Sequence, residues 1–129
     1  MATVGEIMSG DLLDVAPELP LEEAARRIDE RRVGAAVVLS GGRLAGILTE
    51  RDVLRAVAAG RVEGTTVAEW MTAHPETIEP SETTGQAAAL MIHGGFRHLP
   101  VVDGGKAVGM ISIRDLMRHV LDDEAPRGV

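Results

Sequence analysis

The chain has 129 residues, 45% of them apolar, with one Phe, one Trp, no Tyr, no Cys and a formal net charge of −7. The missing thiols exclude disulfides, thiolate metal ligands and a cysteine nucleophile, and the acidic balance argues against a protein that coats nucleic-acid phosphates. No apolar run approaches the roughly 20 residues that span a bilayer, and the opening residues lack a basic stretch followed by an apolar one, so no membrane span or secretory leader is expected and a cytoplasmic setting is.

Residues 4–60 and 67–123 carry one pattern twice, at a constant offset of 63. A period that fills the chain twice makes the molecule a pseudo-symmetric pair. In the first copy, residues 11–15 read as a short extended stretch leading to Pro17. Pro20 stands where a first helical residue often does, and Leu21, Ala24, Ala25 and Ile28 follow at helical spacing. Glu22, Glu23, Arg26, Arg27, Glu30 and Arg31 form the solvated face of that helix. Residues 35–39 read as a strand, Gly41-Gly42 as a hairpin turn that needs positive φ, and 44–48 as the return strand. A second helix covers 50–58, and residues 61–66 form a linker.

In the second copy, residues 74–78 are the extended stretch leading to Pro80. Thr83 with Gln86 resembles a capping box, and Thr84, Ala87, Ala88 and Met91 continue the helix. Strand 98–102, the Gly104-Gly105 turn, strand 107–111 and helix 113–121 complete the copy, and 124–129 form a flexible tail. The order in each copy is β-α-β-β-α. Each copy alone is marginal in size, so the two are expected to share an interface. With so few aromatics the core must be aliphatic, with Met8, Met71, Met91, Met110 and Met117 as filler. Trp70, whose counterpart is Ile7, reads as packing at the start of a copy or as a dimer contact.

The strand-to-helix junctions read Gly46-Ile47-Leu48-Thr49-Glu50-Arg51-Asp52 and Gly109-Met110-Ile111-Ser112-Ile113-Arg114-Asp115. A hydroxyl followed three residues later by Asp is a good helix start. The same geometry suits a ligand. Free N–H groups at a helix start favour a phosphate, the hydroxyl adds a donor, the Asp can hold two ribose hydroxyls, and the Gly permits close backbone approach. Gly, hydroxyl, Arg and Asp recur together in both copies, a combination that capping alone does not require.

The doubled β-α-β-β-α pattern, each copy closed by this junction and the second carrying Phe96-Arg97-His98-Leu99-Pro100-Val101-Val102-Asp103, resembles a tandem cystathionine β-synthase (CBS) domain pair, or Bateman module. The resemblance covers about residues 4–122. It implies an α/β (α+β) fold, with two small three-stranded sheets packed about a pseudo-twofold axis, and adenosine-ligand sites between the copies. Carried over residue by residue, one cleft uses Ile47, Thr49, Arg51 and Asp52, facing Glu76, Phe96, Arg97, His98 and Pro100. Asp52 would hold the ribose. Thr49, with Arg97 or His98, would approach the phosphate, and Ile47 and Phe96 would wall the adenine. The other cleft uses Met110, Ser112, Arg114 and Asp115, facing Leu13, Val33, Gly34 and Ala35. There Val33-Gly34-Ala35 replaces Phe96-Arg97-His98, and Val37 replaces Pro100. The Asp52 cleft is therefore expected to take a phosphorylated ligand, and the Asp115 cleft to bind weakly, take a neutral nucleoside or stay empty.

His74, His93, His98 and His119 are not spaced with carboxylates as a metal set. Ser9, Ser40, Ser81 and Ser112 have no nucleophile setting, and no Walker-type loop with Lys is present. The expectation is a stand-alone, non-enzymatic regulatory module. It would bind AMP, ADP or ATP without a required cofactor, form a homodimer and signal to an unknown effector protein. The alternative is a structural or protein-interaction module with degenerate clefts.

Overall fold

Leu21, Ala24 and Ile28 recur at helical spacing, and in the computed structural model, which describes residues 2–124, they form the buried stripe of a helix. In chain order the elements are α1 (Val4–Ile7), β1 (Asp14–Val15), α2 (Leu21–Arg31), β2 (Ala35–Ser40), β3 (Arg43–Thr49), α3 (Glu50–Ala58), α4 (Val67–Trp70), β4 (Thr72–Ala73), α5 (Thr84–Gly94), β5 (His98–Asp103), β6 (Lys106–Ser112) and α6 (Ile113–Glu124). Pro20 caps α2 rather than starting it, and the Thr83–Gln86 capping box opens α5. The short helices α1 and α4 were not expected. Residues 74–78 form no strand; Ile78 alone bridges Val101 in parallel. Helix α6 runs to Glu124, and the rest of the expected tail lies outside the described residues.

The fold is mixed α/β, and its described residues divide into two compact units. The Asp52 unit comprises residues 11–75 and 105–107; the Asp115 unit comprises 2–10, 76–104 and 108–124. Residues 2–10 head the first copy yet belong to the Asp115 unit. Residues 67–75 head the second copy yet belong to the Asp52 unit. Each head docks through backbone hydrogen bonds that repeat at the 63-residue offset. In the Asp52 unit, Val67 N–H donates to the Leu19 carbonyl (2.9 Å), Ala68 N–H to that of Pro17 (2.8 Å), and Leu21 N–H to that of Thr65 (3.0 Å). In the Asp115 unit, Val4 donates to Glu82 (2.8 Å), Gly5 to Pro80 (2.9 Å) and Thr84 to Ala2 (3.2 Å). The linker is thus part of the packing: Thr65 is only 6% exposed.

The sheet of the Asp52 unit has the order β1-β2-β3-β4. Strand β1 is parallel to β2, and the antiparallel β2–β3 hairpin turns on Gly41 and Gly42, at φ 58° and 80°. It has four strands rather than three, because β4, from the head of the second copy, pairs Ala73 with Gly46 and Thr72 with Ile47. Strands β5 and β6 are hydrogen-bonded neighbours joined by Gly104 and Gly105. The flanking pairings shrink to the single bridges Ile78–Val101 and Ser9–Met110.

Both cores are aliphatic. Leu21, Ile28, Val38, Leu48 and Val67 centre one; Val4, Ile78, Leu99, Val101 and Ile111 centre the other. Met91 belongs to the second core, and Met71 and Met8 pack against the first and second. Met117 departs from the expected role of filler, since it is 56% exposed on α6.

Candidate functional site

At the Asp52 junction the chain passes from β3 into α3 through the extended N-cap Thr49, whose N–H has no acceptor within the helix. Asp52 compensates. Its Oδ2 accepts the Thr49 N–H (2.9 Å) and the Thr49 hydroxyl (3.1 Å), and Asp52 N–H donates back to Thr49 Oγ1 (3.2 Å). This is a reciprocal capping box. Glu50 N–H donates to the Gly34 carbonyl (3.0 Å). Among the described residues, Arg51 N–H is the one first-turn donor left without a partner. The helix start therefore offers a phosphate fewer donors than the sequence suggested.

The Asp115 junction repeats this. Asp115 Oδ2 accepts Ser112 N–H (2.8 Å) and its hydroxyl (3.0 Å), Asp115 N–H donates to Ser112 Oγ (3.1 Å), and Ile113 N–H donates to the Arg97 carbonyl (2.9 Å).

Within each unit the structure joins a junction to the second-strand segment of its own copy. Ala35 pairs with Thr49, Gly34 bonds Glu50, and the Leu13 carbonyl accepts Val37 N–H (3.0 Å), so residues 13, 33–35 and 47–52 share one end of the Asp52 unit. The Asp115 unit likewise holds Glu76, Phe96, Arg97, His98 and Pro100 with Met110, Ser112, Arg114 and Asp115. Each of the two expected clefts draws residues from both units. Arg51, Glu76, Arg97 and Arg114 are exposed, Thr49, His98, Met110, Ser112 and Asp115 are half-buried, and Ile47, Ala35, Leu13 and Pro100 are buried. Phe96, expected to wall an adenine, packs against the core of its own unit, with its ring against Gly94 where a methyl group would overlap it. Val33 packs against the other core.

The junction glycines have a different reason from the expected one. A Cβ at Gly46 would fall 2.7 Å from the Thr72 carbonyl oxygen and 2.8 Å from the Met71 sulfur. A Cβ at Gly109 would meet the Met8 sulfur and the Ser9 carbonyl oxygen. The close approach that these glycines permit is that of a docked head segment.

Two clusters escaped the sequence reading. Arg55 Nη1 pairs with Asp52 Oδ1 at 3.3 Å, against a carboxylate that is itself nearly buried. The i,i+3 spacing was the available signal. The second cluster ties the linker to α4. Glu69 accepts the Thr65 hydroxyl (2.6 Å) and the Thr66 N–H (2.7 Å), Trp70 Nε1 donates to Thr65 Oγ1 (3.0 Å), and the Arg61 guanidinium lies 5.4 Å from the Trp70 ring centroid. The Thr65 hydroxyl first, then the Thr66 N–H, hold the Glu69 carboxyl below the usual range; burial opposes them to a lesser extent, and the charge of Arg61 adds a smaller lowering. The signal here was Thr66-x-x-Glu69, a capping-box spacing.

Among the described residues no group of three or more His, Asp or Glu side chains is placed to hold a metal ion, and no helix is long and apolar enough to cross a membrane. The family model for the CBS domain matches residues 4–59 and 67–122. The CBS domain-containing protein YhcV of Bacillus subtilis (strain 168) is 33% identical over 126 residues, covering 97% of this chain and 90% of that protein. Among solved structures, a protein with CBS domains from Burkholderia ambifaria MC40-6 matches with a TM-score of 0.91 and 37% identity, covering 99% of this chain and 100% of that one. The structure of CBSX2 of Arabidopsis thaliana in complex with AMP matches with a TM-score of 0.84 and 27% identity, covering 96% of this chain and 99% of that one.

Proposed function

The chain belongs to the CBS domain family, with two CBS domains in tandem, and we propose that it is a regulatory module that binds an adenosine-containing ligand of the AMP, ADP or ATP class between its copies. The observation that carries this reading is the junction built twice. Thr49 with Asp52, and Ser112 with Asp115, each hold a carboxylate by one oxygen at a helix start. A fixed carboxylate is suited to accept from the vicinal hydroxyls of a ribose. The similarity to CBSX2, solved with AMP, supports the ligand class. Arg97 is an exposed cation suited to a phosphate, and the resemblance to the family assigns it to the Asp52 set. We assign the phosphorylated ligand to that set and weaker or neutral-nucleoside binding to the Asp115 set.

Ligand that bridges the copies favours one arrangement of them, and an effector protein reads the shifted population. The acting form is a cytoplasmic homodimer, whose contact would cover the exposed Leu54, Val57, Met117 and Val120 of α3 and α6. The role is regulatory, not catalytic.

A thermal-shift series with AMP, ADP, ATP and S-adenosylmethionine tests the reading. Ligand at 100 times its Kd adds about 2.7 kcal/mol to the native state, enough to raise the melting temperature by several degrees. Asp52→Asn is the better control than Asp52→Ala, because the amide oxygen can keep the Thr49 cap while the grip on the ribose weakens. A melting temperature that no nucleotide moves would sink the reading. It would favour a protein-interaction module with degenerate clefts, to which the engaged first-turn N–H groups and the core packing of Phe96 also point.

A further inference from the structure

We infer that Arg55 gates the Asp52 carboxylate against uncharged ligands, so that the two ribose grips differ in the ligand charge they accept. The inference rests on the ligand class proposed above. The two carboxylates are capped alike through Oδ2, by a backbone N–H at 2.9 or 2.8 Å and a hydroxyl at 3.1 or 3.0 Å. They differ at Oδ1. At Asp52 that oxygen faces Arg55 Nη1 at 3.3 Å. Arg118 occupies the equivalent place on α6, yet no described residue forms an ion pair with Asp115.

Two vicinal hydroxyls need lone pairs on the carboxylate, and Oδ2 already accepts two hydrogen bonds. A ribose at Asp52 must therefore take Oδ1 and displace Arg55. The Asp52 side chain is 7% exposed, so the oxygen gives up its cation with little water to replace it; the Arg55 side chain is 64% exposed and free to swing. The released guanidinium remains within a side chain's length of the ligand. A phosphate can recover that interaction, since guanidinium and phosphate match as bidentate partners. A neutral nucleoside cannot. At Asp115 no described cation has to be displaced, and the site discriminates less. Arg55 thus acts as a positioning residue through Asp52.

Calorimetric titration of the full chain with AMP and with adenosine tests this, using Asp115→Asn to silence the second grip while an amide oxygen retains the Ser112 cap. In that background Arg55→Gln should tighten adenosine roughly two- to fivefold, the range of an exposed ion pair, without tightening AMP, so the preference for AMP falls. Arg118→Gln should change neither affinity. An unchanged ratio in Arg55→Gln, or equal weakening of both ligands, overturns the inference while leaving the ligand class intact. A wild-type chain that binds neither ligand overturns both.

Discussion

The Met71 sulfur lies over Gly46, 2.8 Å from where a Cβ would stand, with the Thr72 carbonyl oxygen 2.7 Å from the same point. A methionine side chain can move aside, but a carbonyl paired in the β3–β4 ladder cannot move without its strand. Gly46→Ala should therefore cost about 1–3 kcal/mol, the range for overpacking. Gly109→Ala should cost a similar amount, since Met8 and the Ser9 carbonyl crowd it in the same way. Urea unfolding midpoints measure both. A loss below about 0.5 kcal/mol at either position would show that the head segments are not seated as described.

Thr49 and Asp52 cap the same helix start in both directions, so their contributions are coupled. Thr49→Ala should cost about 1 kcal/mol, and Ser112→Ala a similar amount. Once Asp52→Ala is present, Thr49→Ala should cost less than it does alone, because contacting residues in one network are not additive. A double-mutant cycle by chemical denaturation reads the coupling. Additive losses would mean that Asp52 is held by something other than this box.

The long elements were legible in the sequence because their signals are local. Leu21, Ala24 and Ile28 set a helical stripe, and paired glycines set each hairpin. The caps at Thr49 and Ser112 were legible for the same reason, three residues apart. What was not legible depends on distant partners. Helices α1 and α4 have four residues each, and their backbones dock on the Pro80 and Pro17 loops of the opposite copy. The sequence assigned Gly46 to a ligand because Met71 belongs to another part of the chain. Arg55 shows the limit of spacing itself: Arg118 stands at the same distance from Asp115, and only the first pair forms.

Arg32 and Gly95 occupy the same place in the two copies, each just past a helix and each left-handed, at φ 54° and 71°. A non-glycine residue there carries strain of about 1–2 kcal/mol. Arg32→Gly removes it but gives the unfolded chain more freedom, worth roughly 0.4–1 kcal/mol. A net gain of about 0.5 kcal/mol is expected, and a loss of at least that size for Gly95→Arg. Opposite signs in thermal or urea unfolding support the assignment. Destabilisation by both substitutions would mean that the Arg32 side chain contributes more than its strain removes.

Glu69 makes stability depend on acid. In the folded chain the Thr65 hydroxyl and the Thr66 N–H hold its carboxylate in the charged form, so it titrates below the usual glutamate range. In the unfolded chain those donors are gone and it titrates normally. Between the ordinary value and the lower folded one the unfolded state binds more protons than the folded one, so stability falls as the pH falls. The contribution is thus full above the ordinary glutamate value and lost as pH drops through the lower folded value. Glu69→Gln removes the titration and leaves an acceptor oxygen for the same donors. The stability advantage of the wild type over Glu69→Gln should be flat from neutral pH to the upper edge of the carboxylate range. It should then shrink with acid. The measurement is urea unfolding of both proteins from pH 7 down to the lowest pH at which each still unfolds cooperatively. An advantage that stays constant across the acid range would mean that the Thr65–Glu69 bond does not bias the carboxylate toward its charged form.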